Sequence, residues 1–380
     1  MNISGTHYRT IWRTPTGSVR VIDQSRLPFE FSTIDLETLD DAASAIQTMV
    51  VRGAPLIGAT AAYGFALALR ANASDGRLDE ASRILSATRP TAHNLAWSLK
   101  RMRNALEGVR PRERVDLAFR EAAAICEDDV EQCRSIGVHG LEIIRRLSEA
   151  AGRRTAGRRT AGRGTAARRL NILTHCNAGW LACVDWGTAL SPIYMAHDAG
   201  LQVHVWVDET RPRNQGAALT AFELGAHGVH HTVIADNLGG HLMQRGEVDM
   251  VIVGSDRATR SGDVCNKVGT YLKALAARDN AVPFYVAFPL STIDWSLDAG
   301  RDIPIEERSA MELTHITGRT ASGAIDTVRV VPETSPALNL AFDVTPARLV
   351  TALITERGVC PATHAGLRSL YPDEGRNDLF

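Results

Sequence analysis

No stretch of this 380-residue chain approaches the ~18 uninterrupted apolar residues that a membrane-spanning helix requires. No membrane partner is therefore expected. A charge of one sign is also lacking. The chain has 42 Lys and Arg against 43 Asp and Glu, a formal net charge of −1, which gives no reason to expect nucleic acid or an acidic lipid surface as a partner. The six cysteines, at 126, 133, 176, 183, 265 and 360, form no CxxC pair and no regular framework, as expected of reduced thiols in a cytosol. Met1 to Arg13 carries no apolar h-region of a signal peptide, so a cytoplasmic location is expected. The glycine-rich segments match neither GxGxxG nor GxxxxGK[ST], and the twelve histidines include no HExxH. No dinucleotide or nucleotide cofactor and no metal are expected.

What is present divides into two patterns. Tyr8 to Trp12 and Val19 to Ile22 read as two strands of a short hairpin, turned at Pro15-Thr16-Gly17. From Asp35 to about residue 148 the apolar period is helical. Thr38 is placed to cap a first helix, and Pro55 suits the first turn of another running to about Ala71. Further helices are expected over Asn94 to Leu106 and Pro111 to Ser148, with Cys126 and Cys133 as core thiols. Ala-Gly-Arg-Arg-Thr then occurs twice in succession at 151–160; such a low-complexity stretch reads as a solvated linker. The expected domains are thus 1–150, mostly helical; 151–169, an Arg-rich linker; and 170–380.

In the last of these, strand-like runs at 170–175, 201–207, 231–235, 249–253 and 283–288 alternate with helical stretches near 185–199, 215–225, 237–246 and 264–279. One more helix is expected over Pro346 to Arg357. The fold class is α/β: a helical N-terminal domain with a short hairpin, and a C-terminal Rossmann-like, doubly wound parallel sheet. Ligands of such sheets bind at the C-terminal ends of the strands. Cys176-Asn177, Asp208-Glu209, Asp236-Asn237 and Ser255-Asp256-Arg257 stand there.

Thr174-His175-Cys176-Asn177-Ala178-Gly179 joins a strand to small residues with helical spacing. A thiol at a helix start meets free N–H groups that lower its pKa and that also suit a phosphate. Asp256 follows an apolar strand; there it serves as an acid with a raised pKa, caps a helix, or pairs with Arg257. Arg52-Gly53-Ala54 before Pro55 is either a plain inter-helix loop or a phosphate clamp. Asn266-Lys267 is expected to open a helix, where a lysine is explained by a bound anion or is a surface side chain. Gln215 is suited to sugar hydroxyls, and Asp208 and Glu209 beside Arg211 and Arg213 read as surface ion pairs.

Taken together, Arg52-Gly53-Ala54-Pro55, Arg89-Pro90-Thr91, Thr174 to Gly179, Glu209-Thr210-Arg211-Pro212 with Gln215-Gly216, and Gly254-Ser255-Asp256-Arg257 with Asn266-Lys267 resemble methylthioribose-1-phosphate isomerases along nearly the whole chain. Ribose-1,5-bisphosphate isomerases and the regulatory subunits of a translation-initiation exchange factor share that family. The resemblance implies a homodimer that binds a small sugar phosphate in methionine salvage. It implies substrate contacts at Arg52, Gly53, Ala54, Arg89, Gln215, Asn266 and Lys267, and a catalytic pair in Cys176 and Asp256. Ser255 and Cys265 stand where the family usually has alanine, and the Arg-rich repeat is not a family feature. The competing readings are an isomerase of another pentose 1-phosphate, such as 5-deoxyribose 1-phosphate or ribose 1,5-bisphosphate, and a non-catalytic regulatory subunit.

Overall fold

A computed structural model of the chain describes residues 1–3, 5–157 and 169–374. A two-residue pairing of β1 (Asn2–Ile3) with β2 (Thr6–His7) leads into a three-stranded meander. Its strands are β3 (Ile11–Arg13), β4 (Val19–Ile22) and β5 (Thr33–Leu36). The first two form the expected hairpin, and β5 adds a third strand to it. Five helices follow: α1 (Leu39–Gln47), α2 (Ala54–Ala71), α3 (Asp75–Thr88), α4 (His93–Leu106) and α5 (Pro111–Gly157). Thr38 caps α1 reciprocally: its Oγ1 accepts from Asp41 N at 3.1 Å and Asp41 Oδ2 accepts from Thr38 N at 2.9 Å. The helix α5 runs through the first seven residues of the expected linker; residues 158–168 of that linker lie outside the described residues.

The helix α2 is apolar all round. By length and composition it is the one described helix that would suffice to cross a membrane, but 78% of it is buried inside the protein. It is the hub of the helical core, packed against α1, α3, α4 and α5. Gly58 permits a close approach to α4, because a Cβ there would lie 2.8 Å from Ser98 Oγ.

The remaining elements are β6 (Leu170–Thr174), α6 (Ser191–Asp198), β7 (Val203–Asp208), α7 (Ala221–His227), β8 (His231–Ile234), α8 (Leu238–Gln244), β9 (Met250–Val253), β10 (Arg257–Thr259), β11 (Val264–Lys267), α9 (Thr270–Asp279) and β12 (Phe284–Ala287). Then come β13 (Ile293–Asp294), α10 (Met311–Thr314), β14 (His315–Arg319), β15 (Ile325–Arg329), β16 (Phe342–Thr345), β17 (Ala352–Thr355), β18 (Gly358–Cys360) and α11 (His364–Leu370). Seven strands form one sheet in the order β18-β17-β12-β9-β6-β7-β8, parallel but for β18. Side chains alternate between its faces: Ile172 and Ile252 pack on one side, Leu173 and Val251 on the other. The chain winds outward from β6 through β7 to β8, then crosses to β9 on the other side of β6. The resulting crevice lies beyond the C-terminal ends of β6 and β9. A second sheet, β13-β10-β11-β16, builds out from there.

Three expectations are corrected. The helix expected over Pro346–Arg357 is instead the strand β17, paired in parallel with β12 through Val286 and Leu353. Its short buried Ala-Leu-Ile-Thr run has strand length, and periodicity alone does not separate a buried strand from a buried helix. Trp180 begins only a single 3₁₀ turn, to Ala182, and α6 starts later, at Ser191. Asn266 and Lys267 lie on β11 rather than at a helix start, and α9 begins at Thr270.

Candidate active site

Arg52, Gly53, Ala54, Arg89, Cys176, Gln215, Asp256, Asn266 and Lys267, widely separated in sequence, line one cavity of about 680 Å³ counting its mouth. The turn between α1 and α2 brings Arg52 to Ala54 into the crevice. There Gly53 adopts φ +94°, and a Cβ on it would lie 2.5 Å from Ala182 Cα. The loop after β6 supplies Cys176, the loop after β9 supplies Asp256, and β11 supplies Asn266 and Lys267.

Cys176 sits in left-handed backbone, φ +67°. Its amide donates to Thr210 Oγ1 at 2.9 Å and its carbonyl accepts from Thr220 Oγ1 at 2.7 Å. The thiol donates to Gln215 Oε1 at 3.5 Å, with Arg52 Nη2 3.9 Å from the sulfur. The expected helix N-terminus is absent here, and burial raises the thiol's pKa; the Arg52 and Lys267 charges pull it back only in part. Asp256 is likewise raised by burial, with Lys267, Arg52 and Arg89 opposing. Its backbone N–H bonds to Cys265 O, and Arg257 pairs with Asp294 at 3.1 Å rather than with Asp256. The carboxyl is thus neither a cap nor that ion pair. Lys267 is buried, which lowers its pKa, and its Nζ donates to Ala341 O at 2.8 Å, 4.8 Å from the centre of the Phe342 ring.

Arg52 is fixed from below. Its Nη1 donates to Asn177 Oδ1 at 2.5 Å and its Nη2 to Asn177 O at 3.0 Å, while its buried Nε has no protein partner. Asn177 Nδ2 in turn donates to Glu223 Oε1 at 2.7 Å. Glu223, fully buried, also accepts from Trp180 N, Leu181 N and Tyr194 Oη at 2.6, 3.0 and 2.7 Å. Burial raises its pKa and these four donors oppose the rise. Arg89 pairs with Glu306 at 2.7 Å.

Several functional side chains escape sequence reasoning. Arg213 and Arg308 also line the cavity; they pair with Glu312 at 3.1 and 2.7 Å. The only signal for Arg213 was its place directly after the motif Glu209-Thr210-Arg211-Pro212. Asp208 is not part of a surface ion pair. It is fully buried and holds His175 Nδ1 at 2.8 Å and Lys273 Nζ at 3.1 Å. His175 Nε2 meets Val268 O at 2.8 Å, which ties the thiol loop to the end of β11.

Two clusters of possible metal ligands stand among the described residues: His175 with Asp208 and Asp236, and Asp129 with Cys133 and Cys183. In the first, both ring nitrogens of His175 are engaged and the Lys273 ammonium already occupies the place of a cation. In the second, burial raises Asp129 to about 7 and lifts both thiols, although Val184 N bonds to the carboxyl at 2.7 Å.

The cavity therefore presents a half-buried acid and a buried thiol, ringed by cations and backbone amides. Such a site can hold a small anion and move protons on it. A model described as the initiation factor 2 subunit family matches residues 50–362. Methylthioribose-1-phosphate isomerase from Methylorubrum populi is 63% identical over 375 residues, 98% of this chain and 99% of the relative. The enzyme of that name from Methylorubrum extorquens is 64% identical over 378 residues, 99% and 100% of the two chains. Among solved structures, the 5-methylthioribose 1-phosphate isomerase of Pyrococcus horikoshii superposes with a TM-score of 0.79 at 39% identity, covering 97% of this chain and 96% of its own.

Proposed function

Since the chain belongs to the initiation factor 2 subunit family and aligns end to end with its methylthioribose-1-phosphate isomerases, we propose that it converts 5-methylthioribose 1-phosphate to 5-methylthioribulose 1-phosphate, a step of methionine salvage. The observation that carries this reading is one cavity in which Cys176 and Asp256 both face a ring of cations.

The substrate is an aldose locked as a ring by the phosphate on its anomeric oxygen, so the ring must be opened with help. Asp256, held toward its protonated form by burial, gives its proton to the ring oxygen as the C1–O bond breaks. The hydrogen on C2 moves to C1, the C2 hydroxyl becomes the carbonyl, and its proton returns to Asp256. Atoms balance, and the protein ends as it began. Burial keeps Cys176 as a thiol, so it shapes and lines the path of a direct hydrogen shift rather than acting as a thiolate base. Arg52, Arg89 and Lys267 hold the phosphate, with the Gly53 and Ala54 backbone and Asn266 beside them, and Gln215 meets a sugar hydroxyl. General acid assistance of this type is worth ~10²–10⁴-fold.

A non-catalytic subunit of the same fold has no use for an acid and a thiol in one cavity. We further propose a homodimer in the cytoplasm, where all six thiols stay free. The test is to incubate the purified protein with 5-methylthioribose 1-phosphate and follow the product by NMR. Appearance of the C2 ketone supports the reading, and an unchanged substrate spectrum ends it.

A further inference from the structure

Arg89, Arg213 and Arg308, which line the reaction cavity, are joined through two carboxylates that do not line it. Glu306 Oε2 accepts from Arg89 Nε and Nη2 at 3.2 and 2.7 Å, and its Oε1 accepts from Arg308 Nη1 at 2.8 Å. Glu312 Oε1 takes another edge of Arg308, from Nε and Nη2 at 3.0 and 2.7 Å, and also accepts from Arg213 Nη1 at 3.1 Å. Charges thus alternate without a break from Arg89 through Glu306, Arg308 and Glu312 to Arg213.

The backbone sets the spacing of this row. Glu307 bridges antiparallel to Leu340, while Ala341 N donates to Glu306 O and Arg308 N to Asn339 O, both at 2.9 Å. Side chains alternate along extended backbone, so half-buried Glu306 and Arg308 turn inward and Glu307 is exposed. The carbonyl of the same Ala341 accepts from Lys267 Nζ, which ties the row to the lysine of the site. Burial lowers Lys267 and the Arg308 charge adds to that, with Cys176 and Asp256 opposing. Two neighbouring cations on one wall are explained by an anion between them.

Burial works to raise Glu306 and Glu312, but their arginines outweigh it: Glu306 is held below its ordinary value and Glu312 at about 2. Both are therefore anions near neutral pH, and by charge alone they oppose a bound phosphate. What they supply is geometry. Arg308 is gripped by two carboxylates, and its Nη1 and Nη2 each keep a second hydrogen that no described residue accepts. A planar fork fixed in this way suits bidentate binding of a phosphate.

Resting on the isomerase reading above, we propose that Glu306 and Glu312 are positioning residues, which hold the guanidiniums of Arg89 and Arg308 in the orientation that grips the substrate's phosphate, with Arg308 as a further ligand of that group.

Glu306→Gln tests this, because charge and geometry predict opposite signs. Removing a negative charge near an anion tightens its binding if charge alone decides. Glutamine has a single acceptor oxygen where Glu306 uses two, so its NH₂ meets one guanidinium and releases it. A misplacement of about 1 Å can cost ~100-fold. On the purified full chain, KM for 5-methylthioribose 1-phosphate and the dissociation constant of inorganic phosphate should both rise at least about tenfold, with kcat within about threefold of wild type. Unchanged or lower values overturn the proposal. Glu312→Gln, which leaves the Arg89 contact in place, should act in the same direction and carries the test should Glu306→Gln fail to fold. A cycle with Arg308→Met gives a readout that loss of stability does not imitate. The double variant should raise KM by less than the product of the two single effects, and a full product overturns the proposal. A wild-type protein that turns over no 5-methylthioribose 1-phosphate ends the isomerase reading, and the phosphate dissociation constants then decide this inference by themselves.

Discussion

Replacing Asn177 by leucine should weaken the phosphate clamp without touching the acid or the thiol. Asn177 is 4% exposed, accepts from Arg52 Nη1 at 2.5 Å and donates to Glu223 Oε1 at 2.7 Å. Both bonds involve a charged partner, each worth about 1.5–3 kcal/mol. Leucine, of similar size, forfeits about 3–6 kcal/mol of stability by that count. Glu223 keeps its other three donors and Arg52 keeps the backbone carbonyl of residue 177, so the fold should survive with a lower melting temperature. The guanidinium, released on one edge, no longer points where the phosphate lies, and a misplacement of about 1 Å can cost ~100-fold. Steady-state kinetics should show KM raised by at least about tenfold, with kcat falling less. Asn177→Asp separates position from charge. It sets a second carboxyl 2.7 Å from Glu223 Oε1, and two carboxylates so close share one proton. Its KM should therefore rise with pH as that proton is lost, more steeply than in the wild type. If Asn177→Leu leaves KM and kcat within about threefold of wild type, Arg52 is not held for substrate through this amide.

Other outcomes follow from the same geometry. Asp256→Asn should cut kcat by ~10²–10⁴ with KM largely kept. Burial raises this carboxyl, so wild-type activity is present below its folded pKa and lost as pH rises through it, and the residual rate of the variant should lack that limb. The folded state also resists ionising Asp256; the variant should gain in melting temperature over wild type as pH rises above the ordinary carboxyl value, and a gap that instead shrinks contradicts the assignment of a raised carboxyl. Because burial raises the Cys176 thiol, turnover in D₂O should place no solvent deuterium at C1; incorporation near one equivalent would instead mean a thiolate base. Gly53→Ala forces a side chain into backbone at φ +94° and within 2.5 Å of Ala182 Cα. Strain of about 1–3 kcal/mol plus that clash should lower the melting temperature and displace Arg52, read as a raised KM.

The strand-end positions of Cys176 and Asp256 are legible because each follows a short apolar run. Alternating strands and helices then point to one sheet whose open end gathers polar residues. The capping box at Thr38 and the proline start of α2 are local and equally readable. Secondary structure at β11 and β17 is not. Val264-Cys265-Asn266-Lys267 becomes a strand because it pairs with Phe342–Thr345, a partner about 80 positions away, and nothing within the segment announces that pairing. The same limit hides the Glu223 network: a glutamate on a helix reads as solvent-facing until the fold turns four donors toward it. Arg308 was invisible for a related reason, since its worth to the site arises from Glu306 and Glu312, which fix its guanidinium.

The thiol's position is costly and is held from several sides. A non-glycine residue in left-handed backbone loses about 1–2 kcal/mol, and Cys176 has φ +67°. Its amide is taken by Thr210 Oγ1, itself anchored to Asp208 O at 2.9 Å, and its carbonyl by Thr220 Oγ1. Two such bonds contribute about 1 kcal/mol each, enough to offset the strain, and the flanking residues add more. His175 is pinned by Asp208 and Val268, and Asn177 by Arg52 and Glu223. The π-turn Gly216–Thr220 and the first turn of α7 thus hold both the thiol's carbonyl and the carboxylate beneath Arg52. A helix that kept regular α geometry from Gln215 onward would rotate Thr220 and Glu223 relative to Gln215, and all three meet the same loop. The extra residue in that turn is what lets one short segment present Gln215 to the sulfur while Thr220 and Glu223 brace the backbone around it.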